Sequence, residues 1–183
     1  MKKFVCGLLA AILMMSLVGC GSSTGLSNAN NVYAEDGYAE GGLGDVMNTY
    51  FFTYTVNSAY VCEQYEDYTP ADGYDLLVAD VTVKNVSEDV ISMYDTDFQV
   101  QWGDDENDEA FDVPITYYVE TTETISEDIF PYEYELKKKE SRTGLLVFEV
   151  PEGMTEYSIS YMEYFSDDSS GDTFFVYFTA EKK

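Results

Sequence analysis

From Asp45 onward, apolar side chains recur at every second position, the period of a strand with one buried face. In YDLLVADVTVKN (74–85), Leu77, Ala79, Val81 and Val83 alternate with Asp80, Thr82 and Lys84. Phe98, Val100 and Trp102 alternate with Gln99 and Gln101 in the same way. Leu146, Phe148 and Val150 form a third set, Tyr157, Ile159 and Tyr161 a fourth, and Phe174, Val176 and Phe178 a fifth. The earliest long run, TYFFTYTVNSAYVCEQY, puts Phe52, Tyr54 and Val56 on one side and changes phase at Asn57-Ser58 to Ala59 and Val61, which predicts a β-bulge. Turn chemistry separates the runs at TPADG (69–73), VSED (86–89), VPEG (150–153) and DDSSGD (167–172). Pro114 and Pro131 punctuate a less regular middle section, where ITYYVE and YEYEL read as edge strands. No segment carries a convincing helical period. The pattern predicts an all-β antiparallel sandwich of about seven or eight strands.

The N-terminus is different. Lys2 and Lys3 precede a fifteen-residue, largely apolar run, Phe4 to Val18. A spanning helix needs about 20 such residues, so this run is short for a permanent span and suits a secretory signal. It ends in Leu17-Val18-Gly19-Cys20, and here the segment resembles the signal of bacterial lipoproteins. The resemblance implies that Cys20 receives diacylglycerol and that residues 1–19 are a cleaved signal peptide. Two acyl chains hold a protein stably where one does not. The expected location is therefore the cell membrane, lipid-anchored, facing outside the cytoplasm. Residues 21–44 are rich in Gly, Ser, Asn and Ala, which predicts that 20–44 is a lipidated cysteine and flexible linker and that 45–183 is the folded domain.

Charge narrows the partners. Loss of residues 1–19 removes two lysines and no acids, leaving seven basic against 35 acidic residues, a net charge of −28. Such a field repels nucleic acid. Cations, basic surfaces and neutral molecules such as sugars remain. Cys6 falls in the signal and Cys20 carries lipid, so Cys62 stands alone and no internal disulfide can form. Stability must come from the core, for which 45% hydrophobic and 16% aromatic residues are ample.

The same strand segments carry a second resemblance. DLLVADVTVKNVSEDVISMYDTDFQVQWGDD, TGLLVFEVPEG and SYMEYFSDDSSGDTFFVYFT are similar to an Ig-like domain family of unknown function, often attached to Gram-positive lipoprotein signals. The similarity covers about residues 45–180. It implies an immunoglobulin-like sandwich and brings no catalytic residues with it. One departure is KKKESR (137–142), where a Pro-Gly-Glu type turn is expected before the strand.

Candidate chemistry is sparse. Histidine is absent, which removes Ser-His-Asp and Cys-His triads and His-based zinc sites. Cys62 sits beside Glu63, which raises rather than lowers a thiol pKa, so an inert buried thiol is expected. GDDENDE (103–109) holds five carboxylates in six positions but lacks the glycine and the final glutamate of a calcium loop, so a hydrated turn is expected. DDSSGD (167–172) reads the same way. KKKESR reads as a solvated hairpin end that relieves the acidic field. Phe51, Phe175 and Tyr177 fall out of phase with the core positions and either pair across strands or face a partner. The expectation is a non-enzymatic interaction or accessory domain, with lipidation at Cys20 and no catalytic residue, metal or cofactor. Its partners would be the membrane, through the anchor, and an envelope protein or glycan. The other reading is a carbohydrate- or calcium-binding surface module.

Overall fold

The computed structural model describes residues 29–103, 110–118 and 123–183. Twelve strands follow in chain order among them: β1 (Asn31–Tyr33), β2 (Tyr38–Gly41), β3 (Val46–Asn48), β4 (Phe52–Cys62), β5 (Tyr74–Asn85), β6 (Ile91–Tyr94), β7 (Phe98–Trp102), β8 (Phe111–Asp112), β9 (Glu133–Leu136), β10 (Ser141–Pro151), β11 (Glu156–Tyr164) and β12 (Ser170–Thr179). One sheet has the order β1-β3-β4-β5-β10 and the other β2-β12-β11-β7-β8, while β6 and β9 form a separate two-stranded ribbon. The helical content among these residues is one 3-10 turn, Asp95–Asp97. The fold is an all-β sandwich. β4, β5 and β10 stand where an immunoglobulin domain has A, B and E, and β7, β11 and β12 where it has C, F and G. A further hallmark is present near the start of β11. There the Tyr157 hydroxyl donates to the Met154 carbonyl at 2.8 Å, the geometry of a tyrosine corner.

The alternating positions meet between the sheets. Phe52, Tyr54, Val56, Leu77, Ala79, Val81, Val83, Phe98, Val100, Phe148, Ile159, Phe174 and Val176 are all buried there. The phase change in β4 is a register shift against β5 between Val56 and Ser58, the expected bulge. It re-aims Val61 into the core after two outward positions.

Three features depart from expectation. The strand count exceeds seven or eight because short strands extend both sheets. The described part of ITYYVE, residues 115–118, makes an isolated bridge, Tyr117 to Thr124, whereas YEYEL does supply β9. Residues 29–44, expected as linker, instead enter the fold: β1 pairs in parallel with β3 of one sheet, and β2 pairs in parallel with β12 of the other. Each strand has one inward-facing residue, Val32 or Ala39, too few for a detectable period. Gly41 allows the close passage of Met47, whose Sδ would lie 2.8 Å from a Cβ at that position. These two pairs are parallel in a sandwich otherwise built from antiparallel neighbours.

The outer faces differ. In the first sheet, Leu76, Val78 and Val147 point away from the inter-sheet core yet are wholly buried, together with Ile125 and Ile129. The connection between β8 and β9 folds over them, tied by Ile115 N–H to the Val147 carbonyl at 2.7 Å and Leu145 N–H to the Asp128 carbonyl at 2.8 Å. Burial on both faces explains the unbroken apolar run Leu76-Leu77-Val78-Ala79. The second sheet's outer face carries polar and aromatic side chains in place of that second core.

The basic turn 137–142 sits where the family-type turn was expected. Lys139 takes the left-handed conformation (φ 64°) in the position a Pro-Gly-Glu turn gives to glycine.

Candidate functional site

The outer face of the second sheet is organised by register. Across β2, β12, β11 and β7, Glu40, Phe175, Ser160 and Gln99 form one row. Across β12, β11, β7 and β8, Tyr177, Ser158, Gln101 and Phe111 form the next. The central strand offers only serines here, both buried, while larger side chains stand on either side. The result is a trough with a hydroxyl-bearing floor and aromatic walls. A cleft of about 820 Å³ opens along it, within the range of small-ligand sites.

One wall is the Phe175–Tyr177 pair, whose rings lie 5.9 Å apart and within 17° of parallel. The opposite wall is Phe111. Tyr177 and Phe111 are 47% and 49% exposed, so both side chains are open to solvent in part. Between them Ser158 Oγ and Gln101 Oε1 are 3.3 Å apart, a long hydrogen bond that a ligand hydroxyl could replace. Among the described lining residues, Glu40 and Glu156 supply the formal charges. Trp102 lines the same cleft. Tyr157 lies beneath, its phenol pushed up to about 12 by burial first and by Asp75 second.

Among the described residues no three His, Cys, Asp or Glu side chains converge as a metal site. Cys62 is buried on the other sheet; desolvation raises its thiol pKa, the backbone N–H of Gln64 partly offsetting this. A second acidic cluster lies outside the cleft at the 3-10 turn. There the buried Asp95 accepts hydrogen bonds from the Thr116 hydroxyl and from Thr96 N–H at 2.7 Å. Burial raises its pKa to about 6 and raises that of Asp97 as well.

The residues singled out in the sequence are dispersed. Cys20 and the acidic stretch 104–109 lie outside the described residues. In DDSSGD, Asp167 Oδ1 accepts from Ser169 N–H at 3.1 Å and from its hydroxyl at 2.6 Å, which makes it a turn-forming residue. Those bonds lower the Asp167 pKa. Lys138 pairs with Glu88, and the Arg142 guanidinium lies 5.2 Å from the centre of the Tyr134 ring, so the basic turn is engaged locally. Phe51 joins Tyr50 (5.0 Å) and Phe165 (5.6 Å) at the far end of the sandwich. Of the out-of-phase aromatics singled out in the sequence, Phe175 and Tyr177 reach the cleft and Phe51 does not. Glu40, Gln101, Phe111 and Ser158 were missed, although the out-of-phase Gln-x-Gln of β7 and Ser-x-Ser of β11 mark an outer face once the strands are known.

Residues 41–170 match the family described as Domain of unknown function (DUF4352). The chain belongs to that family. The match falls inside the span 45–180 expected from the sequence, except at its first four residues, which begin at the end of β2. Three solved structures are similar to this DUF4352 chain. The yjhA protein of Bacillus subtilis is 22% identical over 66% of this chain and 81% of its own, with a TM-score of 0.52. The "putative lipoprotein" ycdA of the same organism is 17% identical over 74% of this chain and 38% of its own, with a TM-score of 0.54. A "putative lipoprotein" of Staphylococcus aureus is 9% identical over 78% and 94%, with a TM-score of 0.50. At these identities the likeness is one of fold. No functionally curated protein matches the sequence.

Proposed function

We propose that this DUF4352 protein is a bacterial lipoprotein, anchored in the cell membrane through Cys20 and facing outside the cytoplasm. Its sandwich is a non-enzymatic interaction module that presents the open face of the second sheet. The observation that carries the binding role is the asymmetry of the two outer faces. One is sealed by a second core, and the other holds a polar, aromatic-walled cleft of about 820 Å³. The described lining residues supply hydrogen-bonding and stacking groups, as a module that holds a ligand requires.

The anchor reading rests on the charged, apolar and Leu-Val-Gly-Cys sequence of residues 1–20, and two of the similar structures carry the name "putative lipoprotein". Because β1 and β2 belong to the fold, the tether is short. Ten residues run from Cys20 to Asn30, which donates to Asp45, and they cap the reach at about 35 Å. The module therefore works near the bilayer surface. Labelling cells with a fatty-acid probe tests this reading. Label on the wild type and none on Cys20→Ala is expected; mass spectrometry finding an unacylated chain that begins at Met1 would overturn it.

A further inference from the structure

We infer that the cleft on the second sheet binds an uncharged glycan chain, with Tyr177, Phe175 and Phe111 stacking on sugar rings and Gln101, Ser158 and Glu40 bonding their hydroxyls. The inference deepens the reading of the cleft as a binding site and is independent of the lipid anchor.

Charge selects the class first. Among the described residues no lysine or arginine lines the cleft, and the carboxylates of Glu40 and Glu156 would face any anion that entered. With a net charge of −26 on the whole chain, phosphate-rich polymers are repelled at long range as well. The ligand is neutral or cationic.

The lining then separates a sugar from a protein surface. A protein interface has a largely apolar centre within a polar rim. This cleft reverses that order: hydroxyl and amide groups form the floor, and the rings stand at the walls. Sugars present the matching arrangement, with C–H faces that lie on aromatic rings and equatorial hydroxyls that reach outward to amides and carboxylates. The rings of Phe175 and Tyr177 are nearly parallel and 5.9 Å apart, so consecutive residues of an extended glycan can each meet one ring. Serines at the centre of the sheet provide the depth, because any longer side chain at 158 would fill the trough.

Trp102 is the single tryptophan of the chain and lines the cleft, so its fluorescence reports occupancy without a label. Detergent-solubilised full-length protein is titrated with uncharged oligosaccharides of the gluco, galacto, manno and N-acetylglucosamine series, with oligolysine, and with polyglycerol phosphate. Saturable change with at least one uncharged series is expected, weakened tenfold or more in Tyr177→Ala and in Gln101→Ala and unchanged in Tyr50→Ala, which alters an exposed tyrosine at the other end of the sandwich. Unchanged melting temperatures show that the variants are folded. Saturation by oligolysine alone, no response to any sugar series, or equal binding by Tyr177→Ala would overturn the inference. Fatty-acid labelling of the same protein is unaffected by these outcomes, so failure of the glycan site and failure of the anchor are distinguishable.

Discussion

Asn30 donates both its backbone N–H (3.2 Å) and its side-chain amide (2.9 Å) to one oxygen of Asp45, fifteen residues away, while the other oxygen accepts from Gly42 N–H at 2.9 Å. These bonds close the loop that carries β1 and β2, and they lower the Asp45 pKa, with Gly42 N–H the largest cause. A composition boundary at Asp45 thus proves to be the middle of a structural unit.

Removing residues 29–44 should therefore harm the fold rather than trim a linker. The loss strips seven ladder residues and the buried Ala39, and it exposes the edges of β3 and β12. A decrease of at least about 2 kcal/mol is expected in urea unfolding. Asp45→Ala alone should cost no more than about 1 kcal/mol, because the carboxylate is largely solvated. Since its folded pKa is lowered, that contribution is present at neutral pH and lost as pH falls through the carboxylate range.

The turn at Lys139 offers a gain. A non-glycine residue at φ 64° bears a steric cost of about 1 kcal/mol or more, partly offset by glycine's greater freedom in the unfolded chain. Lys139→Gly is expected to stabilise by about 0.5 kcal/mol. The Lys138–Glu88 pair remains, so a change in chemical-denaturation midpoint isolates the backbone effect.

Tyr157→Phe removes the hydroxyl that reaches the Met154 carbonyl. Met154 is only partly buried, so water can take over the carbonyl, and the expected loss is about 1 kcal/mol. A corner that merely decorates the fold would leave the unfolding midpoint where it is.

Asp95 should make the protein more stable in mild acid. Its folded pKa of about 6 lies above the ordinary carboxylate value because burial disfavours the charge. The folded state then binds more protons than the unfolded state between about pH 4 and 6, so stability falls as pH rises through that window. The shift caps the effect at about 3 kcal/mol, and partial screening reduces it to about 1–2 kcal/mol. Asp95→Asn should raise the melting temperature at pH 7 and flatten its dependence between about pH 4 and 6; an unchanged slope would show that Asp95 does not cause it. The neighbouring Asp97, also raised by burial, adds to the same trend in the wild type.

Much of this fold is legible along the chain because a strand with one buried face writes its environment into alternate residues. β5 is found at its observed limits, Tyr74–Asn85, and the bulge in β4 at its observed site, since an eleven-residue strand shows its phase clearly. The basic turn 137–142 stood out in the sequence only as a departure from the Pro-Gly-Glu type; the left-handed conformation of Lys139 came from the structure. β1, β2 and β8 escaped notice: with two to four residues each, their strand conformation is set by neighbours distant in sequence.

The cleft lies at the boundary between the two kinds of information. Alternation by itself determined that Gln99, Gln101, Phe175 and Tyr177 face away from the core positions, because a pleated strand turns successive side chains to opposite sides. Only the tertiary structure decided that β12, β11 and β7 are adjacent, that serines fall between the rings and the amides, and that the other sheet's outer face is closed by a distant segment. Those placements depend on hydrogen-bonded register between strands tens of residues apart, and no local pattern of residues encodes which strands become neighbours.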